Sequence, residues 1–193
     1  MKSREAMEKL LEAIERDNLV ALRKILESGE VDLGADVVIG EEYEMDDPDE
    51  IPLLFYLLMK GISLEALKML IDAGLDIHYI NREGLGALDV AIKYRRPDVV
   101  RLCKEHGISL SESRRKSGMT PVMLAAAFND SEMVKYLIEE GADINGVDRF
   151  GMTALDYARK MGQTRVKEYL ESLGARHELY PDKEDSNANK ASE

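Results

Sequence analysis

The sequence predicts an all-α solenoid of about five helix–turn–helix units with short finger loops, one acidic insertion and a flexible C-terminal tail. Three observations carry that prediction: a glycine that recurs at a near-constant interval, apolar residues at helical spacing before each of those glycines, and matching text in successive intervals. Gly29, Gly74, Gly107, Gly141 and Gly174 lie 45, 33, 34 and 33 residues apart. A fixed period of this size is the mark of stacked supersecondary units. The first interval is longer by about a dozen residues, and the excess coincides with an acid-rich stretch. One period plus one insertion accounts for all four spacings.

Taken in order, the units span about 5–30, 51–75, 84–108, 118–142 and 151–175, within a single domain of residues 1–175. Each offers two short amphipathic helices. In the second helices, Val20, Leu22, Ile25 and Leu26, then Leu67, Leu70 and Ile71, then Met133, Val134, Leu137 and Ile138 recur at helical spacing. Pro97 suits a first helical position, and Ser63 and Asp130 or Ser131 can accept from exposed helix N–H groups. The recurring glycines allow the left-handed conformation that closes a helix. No unit can bury its apolar face alone, so neighbours must stack. Charged turns at Arg4-Glu5 and Glu8-Lys9, and at Lys167, Glu168 and Glu171, suit the two ends of such a stack.

The insertion, about 36–50, and the tail, 176–193, differ in composition. The run from Glu41 to Glu50 holds seven acids in ten residues: Glu41, Glu42, Glu44, Asp46, Asp47, Asp49 and Glu50. Crowded like charges favour an extended, solvated loop. The tail has too few apolar residues to offset the entropy of ordering it; only Leu179-Tyr180-Pro181 suggests docking on the last repeat.

The text itself is informative. The fourth unit reads Gly118-Met119-Thr120-Pro121-Val122-Met123-Leu124-Ala125-Ala126, and later Gly141-Ala142-Asp143-Ile144-Asn145. The fifth reads Gly151-Met152-Thr153-Ala154-Leu155-Asp156-Tyr157-Ala158. The third keeps Gly84-Leu85-Gly86-Ala87-Leu88-Asp89-Val90-Ala91, and the second keeps Pro52-Leu53 and Leu70-Ile71-Asp72-Ala73-Gly74. The first, from Leu10 to Gly29, has the helices without the opening turn. This pattern resembles the ankyrin repeat, whose signature is G-x-T-P-L-H-x-A-A followed by L-L-x-x-G-A-D. Asp89 and Asp156 stand where the family has its signature histidine, and a polar side chain there is expected to brace the turn.

That resemblance implies a protein-recognition face lined by the ends of the first helices and the finger tips. By alignment, the helix ends contribute a row of Arg16, Met59, Tyr94, Phe128 and Met161, with Lys93, Arg96 and Lys160 beside it as contact residues. The tips add Arg82, Arg149, Phe150 and Met152. Aromatic and Met side chains at positions a repeat does not need for packing suit an interface centre. The competing reading folds Tyr94 and Phe128 back as lids on neighbouring helices. Lys93, Arg95, Arg96, Arg114, Arg115 and Lys116 form a basic cluster on the middle repeats.

Catalytic constellations are missing from the sequence. It has no Gly-rich phosphate loop of the G-x-x-x-x-G-K-S/T kind, and His78, His106 and His177 have no Cys or His at ligand spacing. Asp46-Asp47-Pro48-Asp49-Glu50 lacks the spacing and central glycine of a calcium loop. Cys103 falls at the core position that Leu137 and Leu170 hold in later units, where burial raises a thiol's pKa. No catalytic residue, cofactor or metal is therefore expected.

The net charge of −12 and pI near 4.8 disfavour nonspecific nucleic-acid binding. No apolar run is long enough to span a bilayer. The charged N-terminal sequence lacks an apolar signal core, and a lone cysteine fits a reducing compartment, so a cytoplasmic location is expected. The expected function is non-enzymatic: a monomer when free, binding another protein. The acidic run suggests a partner with a basic surface, in the form of an inhibitor or immunity-type protein for a basic toxin or nuclease. Alternatives are an assembly or delivery factor for an enzyme, or an enzyme accessory with its own ligand or metal site. The acidic run would either engage a partner or cover the basic cluster.

Overall fold

The computed structural model describes residues 2–38 and 50–177. These fall into two compact units, Met1–Tyr79 and Ile80–Glu193. The acids from Glu41 to Asp49, and Leu179-Tyr180-Pro181, lie outside the described residues.

The first unit holds α1 (Lys2–Glu15), α2 (Leu19–Ser28), β1 (Asp36–Val38), β2 (Glu50–Pro52), α3 (Leu53–Met59) and α4 (Leu64–Asp72). Glu5 and Lys9 pair one turn apart at 2.7 Å on the exposed side of α1, while Leu10 is fully buried. The hairpin turn is closed by Asn18, whose side-chain oxygen accepts from the Ala21 N–H at 3.0 Å. Ser63 caps α4 by accepting from the Ala66 N–H at 3.3 Å, and its hydroxyl donates to Asp17 Oδ1 at 2.6 Å. Leu22 is buried, but Val20 is exposed. Two residues turn a helix by about 200°, so burying Leu22 sends Val20 to the opposite side.

A second departure concerns the insertion. Its two ends form an antiparallel ladder, with Asp36 opposite Pro52, Val37 opposite Ile51 and Val38 opposite Glu50. Val37 is buried. β-Branched residues at both ends suit a pleated, half-buried surface, and this outweighs the charge crowding there. The extended-loop expectation, made for Glu41 to Glu50, therefore fails at Glu50, whose backbone lies in the ladder.

The second unit holds α5 (Ala87–Lys93), α6 (Pro97–Glu105), α7 (Pro121–Ala127), α8 (Ser131–Glu139), α9 (Ala154–Lys160) and α10 (Thr164–Ser172). They form three helical hairpins. Each first helix packs on its own second helix, α7 lies between α5 and α9, and α8 packs against α10. Ile92, Val99, Val100, Cys103, Met123, Leu137, Leu155 and Leu170 fill the core. Pro97 occupies the start of α6, and Asp130 caps α8 by accepting from the Met133 N–H at 3.1 Å. Gly107, Gly141 and Gly174 follow the second helices with φ of 78°, 94° and 75°. Past Gly174, the Arg176 N–H donates to Asn145 Oδ1 at 2.7 Å.

Candidate protein-binding face

The face in the second unit is built by repetition. Each first helix has seven residues and ends at the same place in its repeat: α5 is followed by Tyr94, α7 by Phe128 and α9 by Met161. Because α5, α7 and α9 lie side by side, these three side chains form a row. Tyr94 and Phe128 are each 38% exposed and Met161 is 56% exposed. Two cross-repeat hydrogen bonds hold the row in register. Arg95 Nη2 donates to the Phe128 carbonyl at 2.9 Å, and Gln163 Nε2 donates to the Ala127 carbonyl at 3.1 Å. Lys93 Nζ stands 5.6 Å from the Tyr94 ring centre, within cation–π reach. Lys160 is exposed beside Met161.

A second row comes from the fingers. Asn81 and Asp148 each fold a tip around a side-chain oxygen. Asn81 accepts from the Glu83 and Leu85 N–H groups, both at 2.9 Å, and Asp148 accepts from those of Phe150 and Met152 at 2.8 and 2.9 Å. Successive tips are stitched by the Lys116 N–H to the Glu83 carbonyl at 3.1 Å and the Arg149 N–H to the Ser117 carbonyl at 2.9 Å. Arg82, Arg114, Lys116 and Arg149 are exposed along this line, and Phe150 is 68% exposed.

Two struts brace the fingers against the first helices. Arg115 reaches Asp89 of α5 at 3.0 Å, and the Tyr157 hydroxyl of α9 donates to Asp148 Oδ2 at 2.7 Å. Burial pushes the Asp89 carboxyl above its ordinary value, although the Gly86 N–H and Arg115 oppose it. Asp89 also accepts from the Gly86 N–H at 2.9 Å, and Asp156 accepts from the Thr153 N–H at 3.0 Å. Both therefore make the turn-bracing bond at the position of the repeat's histidine.

Two expected contact residues depart from the reading. Met152 is only 5% exposed while Phe150 is 68% exposed; the tip bends around Asp148, and Gly151 between them has φ +75°, so no strand alternation relates the two side chains. Arg96 is half-buried and committed to Asp98, with Nε to Oδ1 at 3.0 Å and Nη2 to Oδ2 at 2.7 Å. That fork holds the Asp98 carboxyl below its ordinary value. In the first unit, Arg16 pairs with Glu12 at 2.8 Å, and Met59 is exposed at the end of α3. Exposed Ile80 and Val147 were not anticipated; both lie on finger loops, and that position was the only available signal.

Chemistry other than contact has little to stand on. Among the described residues, no group of three or more His, Cys, Asp or Glu could hold a metal. Cys103 is buried in α6, and burial pushes its thiol up to about 12. No helix among them is long and apolar enough to cross a membrane.

Stacked seven- and nine-residue helix pairs joined by hydrogen-bonded fingers define a helical repeat protein. Residues 101–180 match the family model for ankyrin repeats in three copies, and the chain belongs to the ankyrin-repeat family, whose repeats generally mediate protein–protein interaction. It is 30% identical over 123 residues to glycerophosphocholine phosphodiesterase gde1 of Schizosaccharomyces pombe, covering 64% of this chain and 11% of that protein. It is 30% identical over 133 residues to neurogenic locus notch homolog protein 2 of Homo sapiens, covering 69% of this chain and 5% of that one. Neurogenic locus notch homolog protein 1 of Xenopus tropicalis is 27% identical over 131 residues, covering 68% and 5%. The chain thus spans only a small fraction of the length of these curated relatives.

Proposed function

We propose that this chain is a non-enzymatic recognition module that binds a partner protein through the helix-end and fingertip rows of its repeats. The observation that carries the reading is the recurrence of large, exposed side chains, Tyr94, Phe128 and Met161, at one repeat position that the core does not use. Three such residues in register supply the apolar anchors on which interface energy concentrates. Lys93, Lys160, Arg82, Arg149 and Phe150 flank them, and Arg16 and Met59 hold the corresponding place in the first unit. The buried thiol of Cys103 fits a reducing, cytoplasmic setting, and the free chain acts as a monomer. The inhibitor form of the reading rests on the acids from Glu41 to Glu50 alone.

The test is affinity capture from extract of the source organism, using the full chain and its Tyr94→Ala/Phe128→Ala variant as baits. A partner retained by the wild type and lost from the variant, with thermal melting unchanged, is the expected result. Equal retention by both baits would place the interface elsewhere.

A further inference from the structure

In the second unit the second helices carry both signs, with Glu132, Glu139, Glu168 and Glu171 beside Arg101, Lys104, Lys135, Arg165 and Lys167. The rows of first-helix ends and fingertips are predominantly basic. Lys93, Arg95 and Lys160 line the helix ends, and Arg82, Arg114, Lys116 and Arg149 line the tips, all exposed. The acids that share these rows are largely occupied. Glu83 pairs with Lys116 at 3.4 Å, Asp89 with Arg115 at 3.0 Å, and Asp148 is buried under the Tyr157 hydroxyl. Among the described residues, no carboxylate lies in salt-bridge range of Arg82, Lys93, Arg95, Arg114, Arg149 or Lys160. In a chain with a net charge of −12, a line of cations without a carboxylate partner among the described residues thus stands beside exposed aromatic and Met side chains.

Resting on the functional reading above, we infer that this face recognises an acidic segment of a partner protein that carries bulky apolar residues between its carboxylates. The apolar row supplies anchor sites for aromatic or aliphatic side chains, and the flanking cations select sign and speed encounter. Arg95 and Arg149 offer planar forks matched to carboxylates. The same cations would meet nucleic-acid phosphates, but an apolar row serves splayed bases only on a strand that tolerates the overall negative field of this chain. An acidic peptide needs a smaller site and meets less repulsion from the rest of the surface.

The test selects a random dodecapeptide display library against the full chain, with Tyr94→Ala/Phe128→Ala as one counter-screen and Lys93→Glu/Lys160→Glu as another. Circular dichroism melts verify that both variants fold. Enriched peptides are expected to be net acidic with aromatic or aliphatic residues. Each should bind at least about tenfold more weakly to the charge-reversed variant. Binding should also weaken as salt shortens the Debye length from about 10 Å at 0.1 M to 3 Å at 1 M. Neutral or basic peptides that still depend on Phe128 would overturn the acidic partner while leaving the functional reading standing. Peptides indifferent to both variants would overturn both. Binding of a polythymidine strand at physiological salt, lost on charge reversal, would assign the cations to nucleic acid instead.

Discussion

Gly84 shows how a single hydrogen atom holds two fingers together. Its φ is +79°, and a Cβ built there would lie 2.1 Å from the Arg114 carbonyl oxygen and 2.9 Å from the Arg115 Cα. Both obstacles are backbone, so neither can rotate away. Gly84→Ala should therefore lower stability by more than about 1 kcal/mol in a denaturant titration, whereas Gly151→Ala, with φ +75° but open space around it, should cost less. Equal losses would mean that conformation alone, and not the finger contact, sets the penalty. Cys103 gives a second test at this scale. With its thiol pushed up to about 12 inside the core, it should resist alkylation at pH 8 in the native protein and react only on unfolding. Prompt labelling would show that α6 opens readily. Sequence reading placed Cys103 correctly, because the repeat register puts it where Leu137 and Leu170 stand. It misplaced Met152, because a fingertip's inward or outward sense is set by the Asp148 hydrogen bonds and not by any period.

At the scale of elements, the sequence was most legible where one residue does one local job. Pro97, Ser63 and Asp130 start helices because each solves the problem of unpaired N–H groups within its own turn. The short ladder of β1 and β2 was not legible in the same way. Its pairing joins Val37 to Ile51 across the acidic run, and such a partner cannot be read from neighbouring residues. Arg96 was likewise assigned to the surface by position, yet its fork on Asp98 ties it to the first turn of α6. That pair gives a pH prediction. Arg96 depresses the Asp98 carboxyl, so its stabilisation is complete above the ordinary value of 3.8 and is lost as pH falls through the lowered one. Asp98→Asn should melt below the wild type at pH 7, and the gap should close on acidification below the ordinary carboxylate range. A gap that stays constant would point to a packing effect instead.

At the largest scale, stability is shared between a repeat and the neighbours packed against it. In a repeat array each unit is supported by its neighbours, and damage spreads only as far as the interfaces carry it. Leu137 is fully buried in α8, which packs against α7 and α10. Leu137→Ala removes core volume that the surroundings cannot recover, and should cost roughly 2–5 kcal/mol. Native-state hydrogen exchange then reads where that loss falls. Amides of α7 to α10 should exchange faster by an amount matching the measured loss. Those of α1 and α2, in the unit Met1–Tyr79, should keep most of their protection. Uniform acceleration through every helix would instead mean that the chain unfolds as one block. The contrast also bears on recognition. Tyr94 and Phe128 follow first helices whose partners are α6 and α8, so loosening α8 should weaken partner binding without touching a contact residue. Phe128→Ala should weaken binding by more than about 1 kcal/mol with the exchange pattern unchanged, which separates loss of the anchor from loss of its platform.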